Sequence, residues 1–317
     1  GKGVGGDVLW SMKKLVEQVH QAKDSRAIDP SHFLKKMKDI MPDYVPGTEQ
    51  CSAEFLQLLI DKMTKCLIDR DGSRKWETTL MGSLFGGHDR TQLECQTCKY
   101  TSDKFEYFTT LPLALDVDSA KPFTLASVLD HYAKTETLKG LEGWKCHKCD
   151  VKRTAKCTTA VHKAPNVLVA HLKRFYHDKN YVLRKNTKFL PFPPELTLKT
   201  TNQEENAVYD LSGVIVHEGP TLFNGHYYCY VKTSTNTWAK KNDQHVTRAT
   251  LPDVLGEKAY LLLYTQRAAT RAQSAKVSAG NLVTRWGRGV LQRRRYRRIL
   301  AAVRRLQAIV RGVVVRR

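Results

Sequence analysis

Long apolar runs are missing from this 317-residue sequence. No stretch approaches the roughly 20 apolar residues that a membrane-spanning helix needs, and no charged-then-apolar leader precedes the first helix-like segment. Neither a span nor a secretory signal is therefore expected. An initiator methionine is also missing, since the chain opens on Gly1, and this predicts a fragment of a longer protein. Acidic residues are absent at the other end: from Arg267 to Arg317 there are fifteen Lys/Arg and no Asp/Glu, which leaves only +6 of the formal +21 charge for everything before. The body is thus mildly basic and lacks the basic pattern with interleaved aromatics that specific nucleic-acid binding requires. Eight cysteines would suit a disulfide framework in a small secreted protein. Here four of them fall into two CxxC pairs within a large domain, which points to a reducing, intracellular compartment, cytoplasmic or nuclear.

The length suffices for one large core and allows two domains. Val8 to Lys23 ("VLWSMKKLVEQVHQAK") carries apolar positions at helical spacing. In "DPSHFLKKMKDIMP" the sequence predicts a second helix, with Asp29 as N-cap, Pro30 at the first helical position and Pro42 as the stop. A third, "EQCSAEFLQLLIDKMTKC", clusters Phe55, Leu58, Leu59, Ile60 and Met63 on one face. From Leu93 onward the texture changes to short alternating runs: "KFEYFTTLPLAL", "NVLVAHLKRF", "YDLSGVIVH", "HYYCYVKT" and "AYLLLYTQ" all read as strands. A helical opening followed by sheet predicts an α+β fold, and the small, polar residues of 267–281 predict a flexible linker.

Cys95 and Cys98 in "LECQTCKY" and Cys146 and Cys149 in "GWKCHKCD" form two knuckles with 47 residues between them. Each knuckle brings two thiolates to one ion, and two complete the tetrahedral four-sulfur shell of structural zinc, with no open position for catalysis. The bland alternative is four reduced core cysteines. Cys51, Cys66, Cys157 and Cys229 are unpaired in sequence and read as packing residues.

Asn224 to Asp243 reads "NGHYYCYVKTSTNTWAKKND". His226 follows a flexible glycine at the start of a strand, and Trp238 to Asp243 forms a returning strand and turn. Such a hairpin brings Asn242 or Asp243 beside the imidazole, where a side-chain oxygen accepts the ring N–H, fixes the tautomer and leaves the other nitrogen as a base for a Ser or Cys nucleophile. On spacing alone, a satisfied polar cluster is the commoner outcome.

The surrounding words carry more. "LFGGHDRTQLECQTCKYTSDKFEYFTTLPLAL", "NVLVAHLKRFYHD", "YDLSGVIVHEGPTLFNGHYYCYVK", "WAKKNDQHVT" and "AYLLLYTQR" together resemble the catalytic domain of ubiquitin-specific proteases, over most of residues 48–266 and in the family's order. The resemblance implies a papain-like hand with a helical thumb (1–70) and zinc-bearing fingers plus a β palm (71–266), in a catalytic domain spanning 1–266. It implies hydrolysis after ubiquitin's C-terminal glycine by a Cys-His-Asn/Asp triad. His226 matches the histidine of the GHY motif and Asn242 the orienting position, with Asp243 its neighbouring carboxylate. Gly225, Tyr227 and Gln50 match cleft positions, His217 a non-nucleophilic position near the site, and the four knuckle cysteines the finger zinc ligands.

The family's nucleophile lies in an Asn-Thr-Cys box near the start of the domain, and no such box occurs here. In "EQCSAEF", Cys51 stands where the family has an aspartate on a thumb helix, and is expected to face a neighbouring helix or the cleft wall rather than act as the nucleophile. Either these residues belong to a larger active enzyme, or the protein is a noncatalytic ubiquitin-binding scaffold. The 317-residue chain alone is expected to be inactive in both cases.

Residues 282–317 are an Arg-rich helical pattern. "LQAIVRGVVVRR" places Leu306, Gln307, Arg311, Gly312 and Arg316 in the LQxxxRGxxxR form of the IQ motif, which resembles calmodulin and light-chain sites. Upstream, "VTRWGRGVLQR" repeats the layout with Val283, Arg288, Gly289 and Arg293, with Thr284 in place of the glutamine. Ile299, Val303, Leu306, Val310 and Val313 form an apolar stripe suited to an acidic EF-hand partner, calmodulin or a light chain. A basic helix that contacts anionic membrane or nucleic acid nonspecifically is the plainer alternative.

Overall fold

The computed structural model describes residues 7–21, 28–71, 75–116, 122–139, 143–202, 206–221, 224–233 and 235–267. The IQ-type positions Leu306, Gln307, Arg311, Gly312 and Arg316 lie outside the described residues. In chain order the helices and strands begin with α1 (Val8–Gln21), α2 (Ser31–Leu34), α3 (Met37–Ile40), α4 (Ser52–Asp71), α5 (Leu80–Phe85), β1 (Gly87–Cys95), β2 (Thr101–Phe108) and β3 (Leu111–Ala114). They continue with α6 (Leu125–Tyr132), β4 (Thr135–Leu138), β5 (Trp144–Lys145), β6 (Lys152–Arg153), β7 (Ala155–Lys163), β8 (Val167–Lys173), β9 (Phe175–His177) and β10 (Leu183–Lys185). The last are β11 (Glu195–Leu198), β12 (Ala207–Thr221), β13 (Asn224–Lys232), β14 (Trp238–Asn242), β15 (His245–Ala249), α7 (Leu251–Leu255) and β16 (Ala259–Gln266). The architecture is α+β, as expected.

The helices pack on one another through the apolar faces their spacing predicts: Leu59, Ile60 and Met63 of α4 meet Val8 of α1, Phe33 and Met37. The second predicted helix is corrected. Instead of one helix from Pro30 to Pro42 there are two single turns, α2 and α3, because the backbone leaves the helical ladder at Lys36 (φ −97°, ψ 3°). Pro30 is the N-cap rather than the first helical residue. Asp29, one residue earlier, accepts the Ser31 N–H at 2.9 Å.

The sheet begins at Gly87, six residues before the expected change of texture, and three further helices, α5, α6 and α7, are present among the described residues. Four strands in the order β2-β1-β7-β4 make one sheet, and β15-β14-β13-β12-β16-β8-β3, with β11 alongside β12, make a larger one. The larger sheet carries the main core, in which Leu111, Leu168, Leu172, Val214, Leu262 and Tyr264 are all buried. β12 and β16 lie in its middle, which explains why "AYLLLYTQ" is nearly continuous in apolar residues rather than alternating. Where the N-terminus of α4 meets the large sheet, Ala53, Val169, Tyr260 and Leu261 form a second buried cluster with Cys51, Phe175 and Tyr227 at its edge. Among the described residues, no helix is long and apolar enough to cross a membrane.

Arg174 fastens the chain leaving β8. Only 2% exposed, it donates from Nε to the Ala259 carbonyl (2.6 Å) and from Nη1 to the carbonyls of Asn186 (3.0 Å) and Lys188 (2.9 Å). Burial lowers its pKa to about 10, and it remains a cation at neutral pH. Arg174→Met would leave these buried acceptors without donors, and is expected to cost about 2–4 kcal/mol in urea unfolding.

Candidate active site

The site is assembled by the hairpin of β13 and β14. Register pairs Tyr230 with Lys240 and Lys232 with Trp238. Alternation along the strands therefore puts His226, Tyr228, Tyr230, Lys240 and Asn242 on one face, with Tyr227 and Cys229 on the other. At the open end His226 Nε2 lies 2.5 Å from Asn242 Oδ1. That oxygen only accepts, so the neutral ring holds its proton on Nε2 and keeps the Nδ1 lone pair available. Asp243 Oδ2 stands 3.8 Å from the same nitrogen and its side chain is 76% exposed, so Asn242 is the orienting partner and Asp243 a more distant charge. The chain turns at Asp243 with φ of 52°, a left-handed conformation that aspartate tolerates.

Gly225 seats this pair. Its N–H donates to Glu49 Oε2 at 2.7 Å, which ties the start of β13 to the segment before α4. A β-carbon at Gly225 would overlap the His217 imidazole and the Glu218 carbonyl. Gly225→Ala is accordingly expected to destabilise the domain by about 1–3 kcal/mol, read as a lowered melting temperature.

The other expected site residues are placed differently. Gln50 donates to Thr48 Oγ1 at 2.8 Å within its own exposed loop and makes no bond to the His226 hairpin. Tyr227 turns toward α4: its ring stands 4.7 Å from His217 and 6.0 Å from Tyr260, and its buried hydroxyl lies beside Ser52 at the start of that helix. Burial pushes that hydroxyl up to about 12, so Tyr227 stays neutral. Cys51 Sγ lies 3.1 Å from Tyr260 Oη. His217 is buried, and burial together with the Lys185 ammonium holds it below the ordinary imidazole range against the opposing pull of Glu49. All eight cysteines fall in the described residues and none is in a disulfide, and the hydrogen bond of His226 goes to Asn242 rather than to a thiol.

Glu49, Lys185 and Tyr260 were not among the expected site residues. Glu49 adjoins Gln50 and could have been found there, whereas Lys185 looks like any solvated lysine and Tyr260 like any core aromatic.

The four knuckle sulfurs, Cys95, Cys98, Cys146 and Cys149, lie within 4.8 Å of one another. Sulfurs held at ~2.3 Å from one tetrahedral ion stand roughly 3.8 Å apart, so the arrangement fits a single metal. The knuckles share one conformation. The Lys99 N–H donates to the Cys95 carbonyl (3.0 Å) and the Asp150 N–H to the Cys146 carbonyl (2.7 Å), with Lys99 and Asp150 both at positive φ (60° and 54°). N–H groups of Cys98 and Thr97 pull the Cys95 thiol down to about 6, whereas the neighbouring sulfurs push Cys149 up to about 12. Four packed thiols do not all ionise without a cation among them. A polar concavity of about 440 Å³ near Gln92, Thr137 and Lys156 lies on the four-stranded sheet, away from His226.

Comparison with known proteins accords with this geometry. Residues 3–264 match the ubiquitin carboxyl-terminal hydrolase family. Human ubiquitin carboxyl-terminal hydrolase 17-like protein 13 is 32% identical over 270 residues, covering 82% of this chain and 49% of that protein. Human ubiquitin carboxyl-terminal hydrolase 42 is 33% identical over 245 residues, 75% of this chain and 18% of that one. The chain thus spans about half the length, or less, of these relatives. Among solved structures, the SAGA deubiquitinating module Ubp8/Sgf11/Sus1/Sgf73 bound to monoubiquitin superposes with a TM-score of 0.67 at 25% identity, covering 83% of this chain and 65% of that one. A yeast form of the module gives 0.69 at 27% identity, covering 84% and 59%. The α+β architecture is therefore the papain-like one of that module. By the extent of the match and the fold, the chain belongs to the ubiquitin carboxyl-terminal hydrolase family.

Proposed function

We propose that this chain is a fragment of a thiol-dependent deubiquitinase that hydrolyses isopeptide bonds at the C-terminal glycine of ubiquitin, with ubiquitin and ubiquitinated proteins as its partners. The observation that carries the proposal is the bond between His226 Nε2 and Asn242 Oδ1, which leaves Nδ1 as a base. His226 takes the proton of an attacking thiol and gives it to the departing lysine amine. Water then releases ubiquitin from the acyl-enzyme, with His226 as base again. Asn242 holds the ring throughout, and Asp243 adds a more distant, solvated negative charge. Gly225 seats the base, Tyr227 backs its strand from the opposite face, and Gln50, in the exposed loop before α4, is assigned to contact with ubiquitin. The thiol comes from outside these 317 residues, because none of the eight cysteines bonds to His226.

Cys95, Cys98, Cys146 and Cys149 hold structural Zn²⁺, which supplies no reaction step. In residues 282–317, Leu306, Gln307, Arg311, Gly312 and Arg316 make up an IQ motif for calmodulin or an EF-hand light chain, after the linker of 267–281. Calcium-dependent capture of calmodulin by a 282–317 peptide tests that assignment, and retention equal to that of a scrambled peptide of the same charge removes it.

A noncatalytic ubiquitin-binding scaffold is the second reading, favoured by the same lack of a cysteine at His226. The two diverge in the full-length protein: the hydrolase turns over a ubiquitin C-terminal fluorophore, whereas the scaffold binds ubiquitin and leaves it intact.

A further inference from the structure

Lys185 closes β10, in the small β9–β10 hairpin that packs beside β12. Its Nζ lies 2.9 Å from His217 Nδ1, 2.9 Å from the His217 carbonyl and 2.6 Å from the Gly219 carbonyl. An ammonium has three N–H donors and nothing that accepts, so these three partners use all of it. At Nδ1 the lysine can only donate. The imidazole of His217 is therefore neutral and carries its hydrogen on Nε2.

The grip falls where the β12–β13 ladder is broken. Glu218 pairs with His226, but the register then shifts before Thr221 and Asn224 pair, and Gly219 takes φ of +126°. The end of β12 thus has few ladder bonds of its own. Lys185 supplies two carbonyl contacts in their place, and the imidazole it orients lies against Gly225, immediately before His226. His217 Nε2 is wholly buried and has no hydrogen-bond partner, so no other bond fixes that ring from its far side. The groups facing His217 are Lys185 from β10, Glu49 from the segment before α4, Phe175 from β9, Tyr227 from β13 and Tyr260 from β16.

We propose that Lys185 is a positioning residue for His226, acting through His217: its ammonium locks the His217 ring as the Nε2–H tautomer and clamps the end of β12 against which Gly225 and His226 are seated. The rate consequence rests on the reading of His226 as the catalytic base; the tautomer does not.

Two measurements separate these. In the ¹⁵N-histidine-labelled 317-residue chain, long-range ¹H–¹⁵N correlation spectra are expected to show His217 with bare Nδ1 and protonated Nε2 through the neutral range. In Lys185→Met the two nitrogens are expected to average, and the ring to take up a second proton at higher pH than in the wild type. A protonated Nδ1 in the wild-type chain overturns the proposal whether or not any variant folds, and so does an unchanged tautomer in a folded Lys185→Met. In the full-length enzyme Lys185→Met is expected to lower kcat at least about tenfold, because a catalytic group is misplaced. KM should change less than about twofold, and Lys185→Arg, which keeps a cation with N–H donors, should recover most of kcat. Equal loss of kcat in both variants, or loss confined to KM, also overturns it. No turnover by wild-type full-length protein would instead sink the hydrolase reading and leave the tautomer result standing.

Discussion

Replacing His226 with alanine in the full-length protein is expected to lower kcat/KM for a ubiquitin C-terminal fluorophore at least about a thousandfold, with ubiquitin affinity little changed. Proton transfer by one positioned side chain is worth roughly 10²–10⁴ in rate, and here the same ring acts in both acylation and deacylation. Binding should survive because a folded protein partner is gripped over a wide surface, of which this half-exposed imidazole is a small part. Asn242→Ala is expected to cost less, about tenfold to a hundredfold, since the ring remains but loses the oxygen 2.5 Å from Nε2 that orders its tautomer. Asn242→Asp keeps an acceptor there and should retain most of the activity. A loss of ubiquitin binding in His226→Ala equal to its loss of rate would show that the residue supports the surface rather than the chemistry.

The second large effect concerns the four-cysteine cluster. Purified protein is expected to carry about one zinc per chain, and Cys146→Ser to lose it. The sulfurs within 4.8 Å of one another belong to the β1–β2 turn and to the turn between β5 and β6, a two-stranded piece of two residues per strand. Besides the cluster, these pieces are joined by the stack of Tyr100 on Trp144, with centroids 6.2 Å apart, the edge contact of Tyr100 with His147, and the Gln96 N–H donated to the Thr154 carbonyl at 3.0 Å. A hairpin that short does not persist in water without a staple. The loss in stability is expected to be on the order of 5 kcal/mol, below the roughly 10–16 kcal/mol by which zinc folds isolated finger peptides, because the ladder of β1 with β2 and β7 remains. Metal analysis with thermal unfolding, before and after chelation, checks it. An unchanged melting temperature in a metal-free Cys146→Ser protein would show four reduced cysteines that merely pack.

How far the sequence anticipated these features varies with the range of the interactions behind them. α4 was legible because Phe55, Leu58, Leu59 and Met63 repeat at helical spacing, a local signal that tertiary packing reinforces. The His226–Asn242 pair was legible because a hairpin brings together residues sixteen positions apart by a rule of alternation alone. The break of the second predicted helix at Lys36 was not legible, since "FLKKMKDI" continues the helical pattern through it. α6 was missed for another reason. It is eight residues within a strand-rich stretch, capped by Thr124 and Ser127 in a box that lacks the usual Glu or Gln. Gln50 was named as a cleft residue although Glu49, its neighbour, makes the cross-chain bond to Gly225. Adjacent positions in an irregular segment differ in direction, and only the folded backbone says which one turns inward. Lys185 depends wholly on long-range placement, because its partners lie 32 and 34 residues away.

The central claim is that His226 and Asn242 serve a thiol lying outside these 317 residues. Reaction with ubiquitin bearing a thiol-reactive C-terminus, followed by mass mapping of the adduct, tests it most directly. The full-length protein is expected to form one adduct, on a cysteine other than the eight present here, and the 317-residue chain none. An adduct on Cys51, or no adduct with full-length protein that still binds ubiquitin, would contradict the claim.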